Sequence, residues 1–160
     1  MRVDRLVRRA VPMLLTLRHP RLMQRFALKM GHWPSPAFPR SYNEKQLWRK
    51  LFDHDPRFVT FSDKLTAKAH AAALCPDLAM ARTLWVGTTA RDIPAALLEG
   101  DVVVKTNHGC NFNIFAPGTV DRVRLERRIR RWLRRTHGRR NRQWAYWDVV
   151  PRVFVEEHLP

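Results

Sequence analysis

The sequence predicts an α+β domain preceded by a basic helical segment. Three observations carry that expectation. Asp101-Val102-Val103-Val104-Lys105 sets three β-branched residues in a row between Gly100 and Gly109, the pattern of a buried strand. Leu125, Ile129, Trp132 and Leu133 recur at helical spacing inside an arginine-rich run opened by Asp121. Charge is partitioned rather than spread. Residues 1–29 carry eight Lys/Arg against Asp4, residues 30–120 carry ten against eight acidic residues, and residues 121–142 carry eleven Arg against Asp121 and Glu126.

The remaining elements follow in chain order. Val3, Leu6, Val7, Ala10, Val11 and Leu14 fall at helical spacing with arginines on the other side, so the chain opens on a basic amphipathic helix. Residues 22–30 form a second, short helix. Gly31-His32-Trp33-Pro34-Ser35-Pro36 then breaks the pattern, with Pro39 close behind. This divides a basic segment and linker, residues 1–37, from a domain over residues 38–160. Asn43 is expected to cap the next helix with Gln46 at the capping-box position. That helix presents Leu47, Trp48, Leu51 and Phe52 and ends at Asp53-His54-Asp55-Pro56. Ser62 or Asp63 caps an alanine-rich helix over residues 64–74, which Pro76 stops. Leu84-Trp85-Val86 before Gly87 reads as a strand, and Pro94 opens a small helix over 93–98. Residues 111–115 pair back on the 101–105 strand. Residues 149–156 form a final strand, edge-like at Pro151 because proline cannot donate to a ladder.

Composition bounds the function. The 160 residues are 45% hydrophobic and 28% charged, enough to bury a core. The net charge of +16 is confined to two flanks, so the near-neutral middle is not that of a uniform nucleic-acid binder, and nucleic acid is not the expected partner. The arginines of 121–142 read as a solvated helix face, with Trp144, Tyr146 and Trp147 as core or interface residues. The N-terminal basic helix is the better candidate for an anionic membrane surface. Cys75 and Cys110 make no disulfide framework, which suits a cytoplasmic setting, peripheral at the inner membrane face. No run of about 18 apolar residues predicts a membrane span. Arg2, Arg5, Arg8 and Arg9 precede an apolar stretch, as in a signal peptide. Pro12 and Arg18-His19-Pro20-Arg21 interrupt it, and no small-x-small site follows. His108 and Cys110 stand two apart with no second pair, and no HxH or HExxH occurs, so no metal ligand is assigned.

Three features carry chemistry. They are Ser62-Asp63-Lys64 at a helix start, Val104-Lys105 running into Thr106-Asn107-His108-Gly109-Cys110-Asn111, and the terminal Val153-Phe154-Val155-Glu156-Glu157-His158-Leu159. A lysine at the end of a buried strand has a fixed root and a mobile ammonium that can meet a phosphate as a point charge. A following loop of small and polar residues offers backbone N–H groups to phosphate oxygens. Neither GxxxxGK[ST] nor GxGxxG is present. An apolar strand that exits into Glu-Glu-His-Leu offers edge donors and acceptors for a purine.

In this order the pieces resemble the ATP-grasp superfamily, and more closely the TupA-like family of teichuronopeptide and cell-surface polysaccharide biosynthesis, often labelled glycosyltransferase. The motifs are Tyr42-Asn43-Glu44-Lys45-Gln46-Leu47-Trp48-Arg49-Lys50-Leu51-Phe52, Asp55-Pro56-Arg57-Phe58, Ser62-Asp63-Lys64, Val104-Lys105-Thr106-Asn107-His108-Gly109 and Pro151-Arg152-Val153-Phe154-Val155-Glu156-Glu157. The resemblance spans residues 38–160 and implies a partial ATP-grasp fold. It implies that Lys64 and Lys105 meet ATP phosphates and that Asn107, His108 and Gly109 belong to a closing loop. Phe154 and Val155 would sit beside the purine, with Glu156 and the backbone of Glu157 and Leu159 lining its edge. In the whole enzyme ATP would activate a carboxylate as an acyl phosphate for ligation. The family's magnesium-binding carboxylates lie downstream of the Glu156-Glu157 hinge, where this sequence ends at Pro160. The expectation is therefore an ATP-binding half with little turnover of its own, taking Mg2+ only if those carboxylates are supplied. No catalytic residue is assigned, and no DxD motif supports sugar-nucleotide chemistry.

Overall fold

A computed structural model of the chain describes residues 2–118 and 120–159, with side chains at all of these except 2–6, 8, 9 and 117. The architecture is α+β, with helices and one antiparallel sheet. Two compact units emerge, Met1–Asp55 with Arg139–Trp144, and Pro56–Gly138 with Ala145–Pro160. These units do not follow the 37/38 division drawn from the proline run. The third helix stays with the first two because Asn43 Nδ2 reaches Met30 Sδ at 3.0 Å and Glu44 binds the amide of Ser35.

The first unit is helical. α1 (Arg2–Arg18) continues through Pro12, whose carbonyl accepts the Thr16 hydroxyl at 2.9 Å. α2 (Pro20–Met30) opens on a proline, whose fixed φ suits a first turn, and closes on Gly31 at φ 74°, donating to Ala27 O. In α1, Leu15 is buried and Val11 half-buried, whereas Val7, Ala10 and Leu14 of the expected apolar stripe are exposed. The side chains of Val3 and Leu6 lie outside the described residues.

α3 (Tyr42–Phe52) starts two residues earlier than expected. Ser41, not Asn43, is the cap, and its box partner is Glu44 rather than Gln46. Ser41 Oγ accepts the Glu44 N–H at 3.3 Å, while Glu44 Oε2 accepts the N–H of Ser41 at 3.0 Å and of Arg40 at 2.9 Å. Glu44 Oε1 takes the Ser35 amide at 2.9 Å. The Ser41 amide above all, with those of Ser35 and Arg40, outweighs burial and holds the Glu44 pKa down at about 2. A carboxyl whose folded pKa is depressed stabilises fully above its ordinary value of 4.5, and that stability is lost as pH falls toward about 2. Glu44→Gln is therefore expected to cost about 2 kcal/mol at neutral pH and to flatten this acid limb in urea titrations. An unchanged acid limb would contradict the assignment.

The second unit holds the sheet. α4 (Arg57–Ser62), which follows Pro56, was not anticipated, because six residues are too few to show a period. Asp63 ends α4 and caps α5 (Lys64–Leu74), its Oδ1 accepting the Leu65 N–H at 2.8 Å. The strands are β1 (Thr83–Gly87), β2 (Asp101–Thr106), β3 (Asn113–Pro117) and β4 (Val153–Glu157), in spatial order β1-β4-β2-β3, all antiparallel. β2 and β3 form the expected hairpin. The final strand is not an edge: β4 lies between β1 and β2. Its ladder begins at Val153, so Pro151 stays outside and no bond is lost. The small helix expected over 93–98 is a 3-10 turn, Ala95–Glu99.

Paired residues on antiparallel strands point to the same side. Val102 and Val104 of β2 and Val153 and Val155 of β4 thus share one face, packed with Leu125, Ile129 and Trp132 of α6 (Arg122–Leu133). Asp121 caps α6, accepting the Arg124 N–H at 3.1 Å. Val103, Lys105, Phe154 and Glu156 occupy the opposite face.

Candidate functional site

Lys105 stands near the exit of β2, and Glu156 lies across the ladder on β4. Register puts both on the face away from α6, and Lys105 Nζ donates to Glu156 Oε1. A second lysine meets the same carboxylate: Lys68 Nζ lies 3.3 Å from Glu156 Oε2. It also donates to Ala81 O and to Thr83 Oγ1, the latter at 3.2 Å. Glu156 is buried, its side chain 9% exposed, whereas Lys68 and Lys105 keep 23% and 27%. The carboxylate is thus shielded while both lysine side chains stay partly exposed.

Lys64 is used differently. Its Nζ donates to Thr106 O at 2.9 Å, to Asn107 O at 3.4 Å and to Gly109 O. Burial lowers its pKa, and Lys105 pushes the same way. The lysine at the start of α5 therefore gathers the carbonyls of the loop after β2 into one cluster. Any phosphate that Lys64 met would compete with those carbonyls.

The loop itself is held from three directions. Asn107 is fully buried; its Nδ2 donates to Asp63 Oδ2 and to Val150 O, both at 2.9 Å, and its Oδ1 accepts the Arg152 N–H at 2.7 Å. Its backbone adds Lys64 N–H to Asn107 O at 3.1 Å and Asn107 N–H to Arg152 O at 3.1 Å. His108 Nε2 donates to Trp132 O at 3.0 Å, which makes Nδ1 the bare nitrogen, buried without a hydrogen bond among the described residues. Burial lowers the His108 pKa against the pull of the Trp132 carbonyl, so the ring is neutral at pH 7. Gly109 has φ +97°, and a Cβ there would lie 2.8 Å from His137 Nδ1 and 3.0 Å from Phe112. Asn111 follows at φ 60°. The loop is therefore a fixed turn, stapled by Lys64 and Asn107.

The residues singled out in the sequence separate as follows. Lys105, Glu156 and Phe154 share a face, with Lys64 and the 107–109 loop beside the exit of β2. Val155 does not join them. Alternation along β4 turns it into the α6-side core, fully buried. A purine against the lysine face would meet Phe154 and not Val155. Glu157 binds Arg82, Oε1 accepting its N–H at 2.6 Å, and Leu159 is exposed. Two participants were missed. Lys68 was legible only as the i+4 neighbour of Lys64, and its partner Glu156 is 88 residues away. Asp63 was read as a cap, yet its second oxygen also holds Asn107.

Chemically the arrangement is a cationic end of a sheet: Lys68 and Lys105 flank one shielded carboxylate, and Lys64 sits on the loop carbonyls beside them. That suits binding of an oxyanion. Among the described residues no group of three or more His, Cys, Asp or Glu is placed to hold a metal ion, and no helix is long and apolar enough to cross a membrane. Comparison with protein families, with characterised proteins and with solved structures finds no match for this chain.

Proposed function

We propose that this chain is the ATP-binding portion of an ATP-grasp protein of the TupA-like kind, serving cell-surface polysaccharide biosynthesis. The observation that carries the reading is the pairing of Lys105 with Glu156 on one sheet face, beside a loop whose root Lys64 holds. A triphosphate would compete with Glu156 for the ammonium groups of Lys105 and Lys68. The released carboxylate would then be free to accept a purine amine at the strand exit, with the Leu159 backbone beside it; the Glu157 N–H is already given to Arg82 O at 3.1 Å. Phe154 would supply the apolar contact.

In the complete enzyme the γ-phosphoryl group would pass to a carboxylate oxygen, giving an acyl phosphate and ADP. A nucleophile would then displace phosphate as the ligation product forms. The chain's own residues account for phosphate binding and orientation. They do not fit a magnesium site, since no cluster of carboxylates lies near the lysines among the described residues, and no step is derived through that ion.

The test is ligand-dependent stability. Millimolar ATP is expected to raise the melting temperature of the chain, an increment equivalent to about 2.7 kcal/mol if ATP reaches a hundredfold over its Kd. Lys105→Ala should abolish that increment, measured against the variant's own ligand-free melt. Equal increments in both proteins would remove Lys105 from the site. No increment in either, together with salt-sensitive RNA binding that ignores Lys105, would replace the reading with a nucleic-acid one.

A further inference from the structure

The N-terminal unit carries a feature that nucleotide binding does not use. Along α1, Val7, Ala10, Met13, Leu14 and Leu17 repeat at helical spacing and occupy an arc of about 120°. All five are exposed, with Met13, Leu14 and Leu17 each about two-thirds open at 67%, 65% and 68%. The inner side of the helix is supplied by Leu15 and Val11 instead. Three turns of apolar surface thus face solvent, more than scattered surface leucines need.

Beyond Asp4, at the start of α1, the charge of α1 and α2 is of one sign. Between Asp4 and Glu44 the sequence has no acidic residue and eight Lys/Arg. Arg18, at the end of α1, and Arg21, Arg25 and Lys29, at i, i+4 and i+8 on α2, are exposed. Burial lowers the pKa of Lys50 on α3, and Lys29 and Arg25 push it the same way, as expected for a field without counter-charge.

These two facts select the occupant. A second copy of the chain would cover the stripe but would also press the same uncompensated cations together. A nucleic acid would use the cations and leave the stripe wet. An anionic bilayer surface uses both: acyl chains for the stripe and headgroups for the lysine and arginines. Spanning is excluded by length and content, since α1 has 17 residues, contains Pro12 and carries five arginines.

We infer that the N-terminal unit docks on anionic membrane surfaces, with α1 lying in the interface plane. The inference stands apart from nucleotide binding, because α1 and α2 contain none of the residues of the lysine site.

The test is co-sedimentation of the full chain with phosphatidylcholine vesicles carrying about one-third phosphatidylglycerol, and with phosphatidylcholine alone. The chain should sediment with the anionic vesicles only, and raising the salt should weaken binding about tenfold. Leu14→Asp with Leu17→Asp should weaken it about tenfold or more, and Arg21→Glu with Arg25→Glu should remove most of the salt-sensitive part. All four side chains are exposed, so unchanged circular dichroism and melting are expected of both variants. Failure to bind the anionic vesicles, or wild-type binding by either folded variant, would overturn the inference. So would a dimer in sedimentation equilibrium that the Leu14/Leu17 variant abolishes.

Discussion

Alanine at Asn107 is expected to destabilise the unit formed by Pro56–Gly138 and Ala145–Pro160 by about 3 kcal/mol. The side chain is wholly buried and closes three hydrogen bonds, to Asp63, Val150 and Arg152. Truncation leaves two acceptors and one donor without a partner, and each orphaned buried group costs about 1–3 kcal/mol. The total is set below that sum because Val150 and Arg152 are exposed residues, so the structure around their backbone groups can open to water at small cost. Asn107→Asp is the sharper variant. It keeps the shape but replaces a donor by an acceptor facing the Asp63 carboxylate and the Val150 carbonyl, so it should be worse than alanine. Urea unfolding of both variants measures this. An aspartate variant as stable as the wild type would show that the amide is oriented the other way.

Trp132→Ala is expected to cost about 4 kcal/mol. The indole is 7% exposed and stacks on Phe112 with ring centres 5.1 Å apart and planes 8° from parallel. The Arg128 guanidinium lies 5.0 Å from the ring centre on the outer side. The same residue's carbonyl receives His108, and the Phe112 ring meets His108 edge-on at 5.9 Å. Loss of the indole would therefore loosen the loop as well as the core. Trp132→Phe keeps an aromatic partner for Phe112 and should recover more than half of the loss. Val123→Ala, on the exposed side of the same helix, should stay within about 0.5 kcal/mol, which separates packing from helix propensity. Chemical denaturation of the three variants decides this. A Val123 effect as large as that of Trp132 would mean that α6 does not draw its stability from the sheet.

Local chemistry was legible wherever a short stretch contained its own reason. Asp63 and Asp121 cap the helices that follow them, because a short carboxylate reaches the free amides of the next turn. The run Val102-Val103-Val104 is a strand, and Leu125, Ile129 and Trp132 point inward together. At the start of α3 the local rule chose the wrong residue, Asn43 with Gln46. Ser41 and Asn43 are both good caps with a polar partner three residues on. Glu44 decides for Ser41 because its carboxylate also satisfies Ser35 and Arg40, outside the helix altogether. Period-two alternation on β4 already separates Phe154 from Val155, and the resemblance set them side by side nonetheless.

The strand lysine with which the site begins shows where each kind of information stops. From sequence alone came the strand that carries Lys105, the helix start that carries Lys64, the polar turn after Lys105 and the concentration of cations in two flanks. Each depends on neighbours a few residues apart, through dihedral preference, capping or periodicity. Only the tertiary structure placed β4 between β1 and β2, and so brought Glu156 to Lys105 and, from α5, Lys68 to Glu156. It also turned the Lys64 ammonium onto the carbonyls of the loop and left the apolar stripe of α1 in solvent. Those outcomes depend on which strand edges pair and which helix sides find a partner, choices made by burying apolar area between segments far apart in the chain.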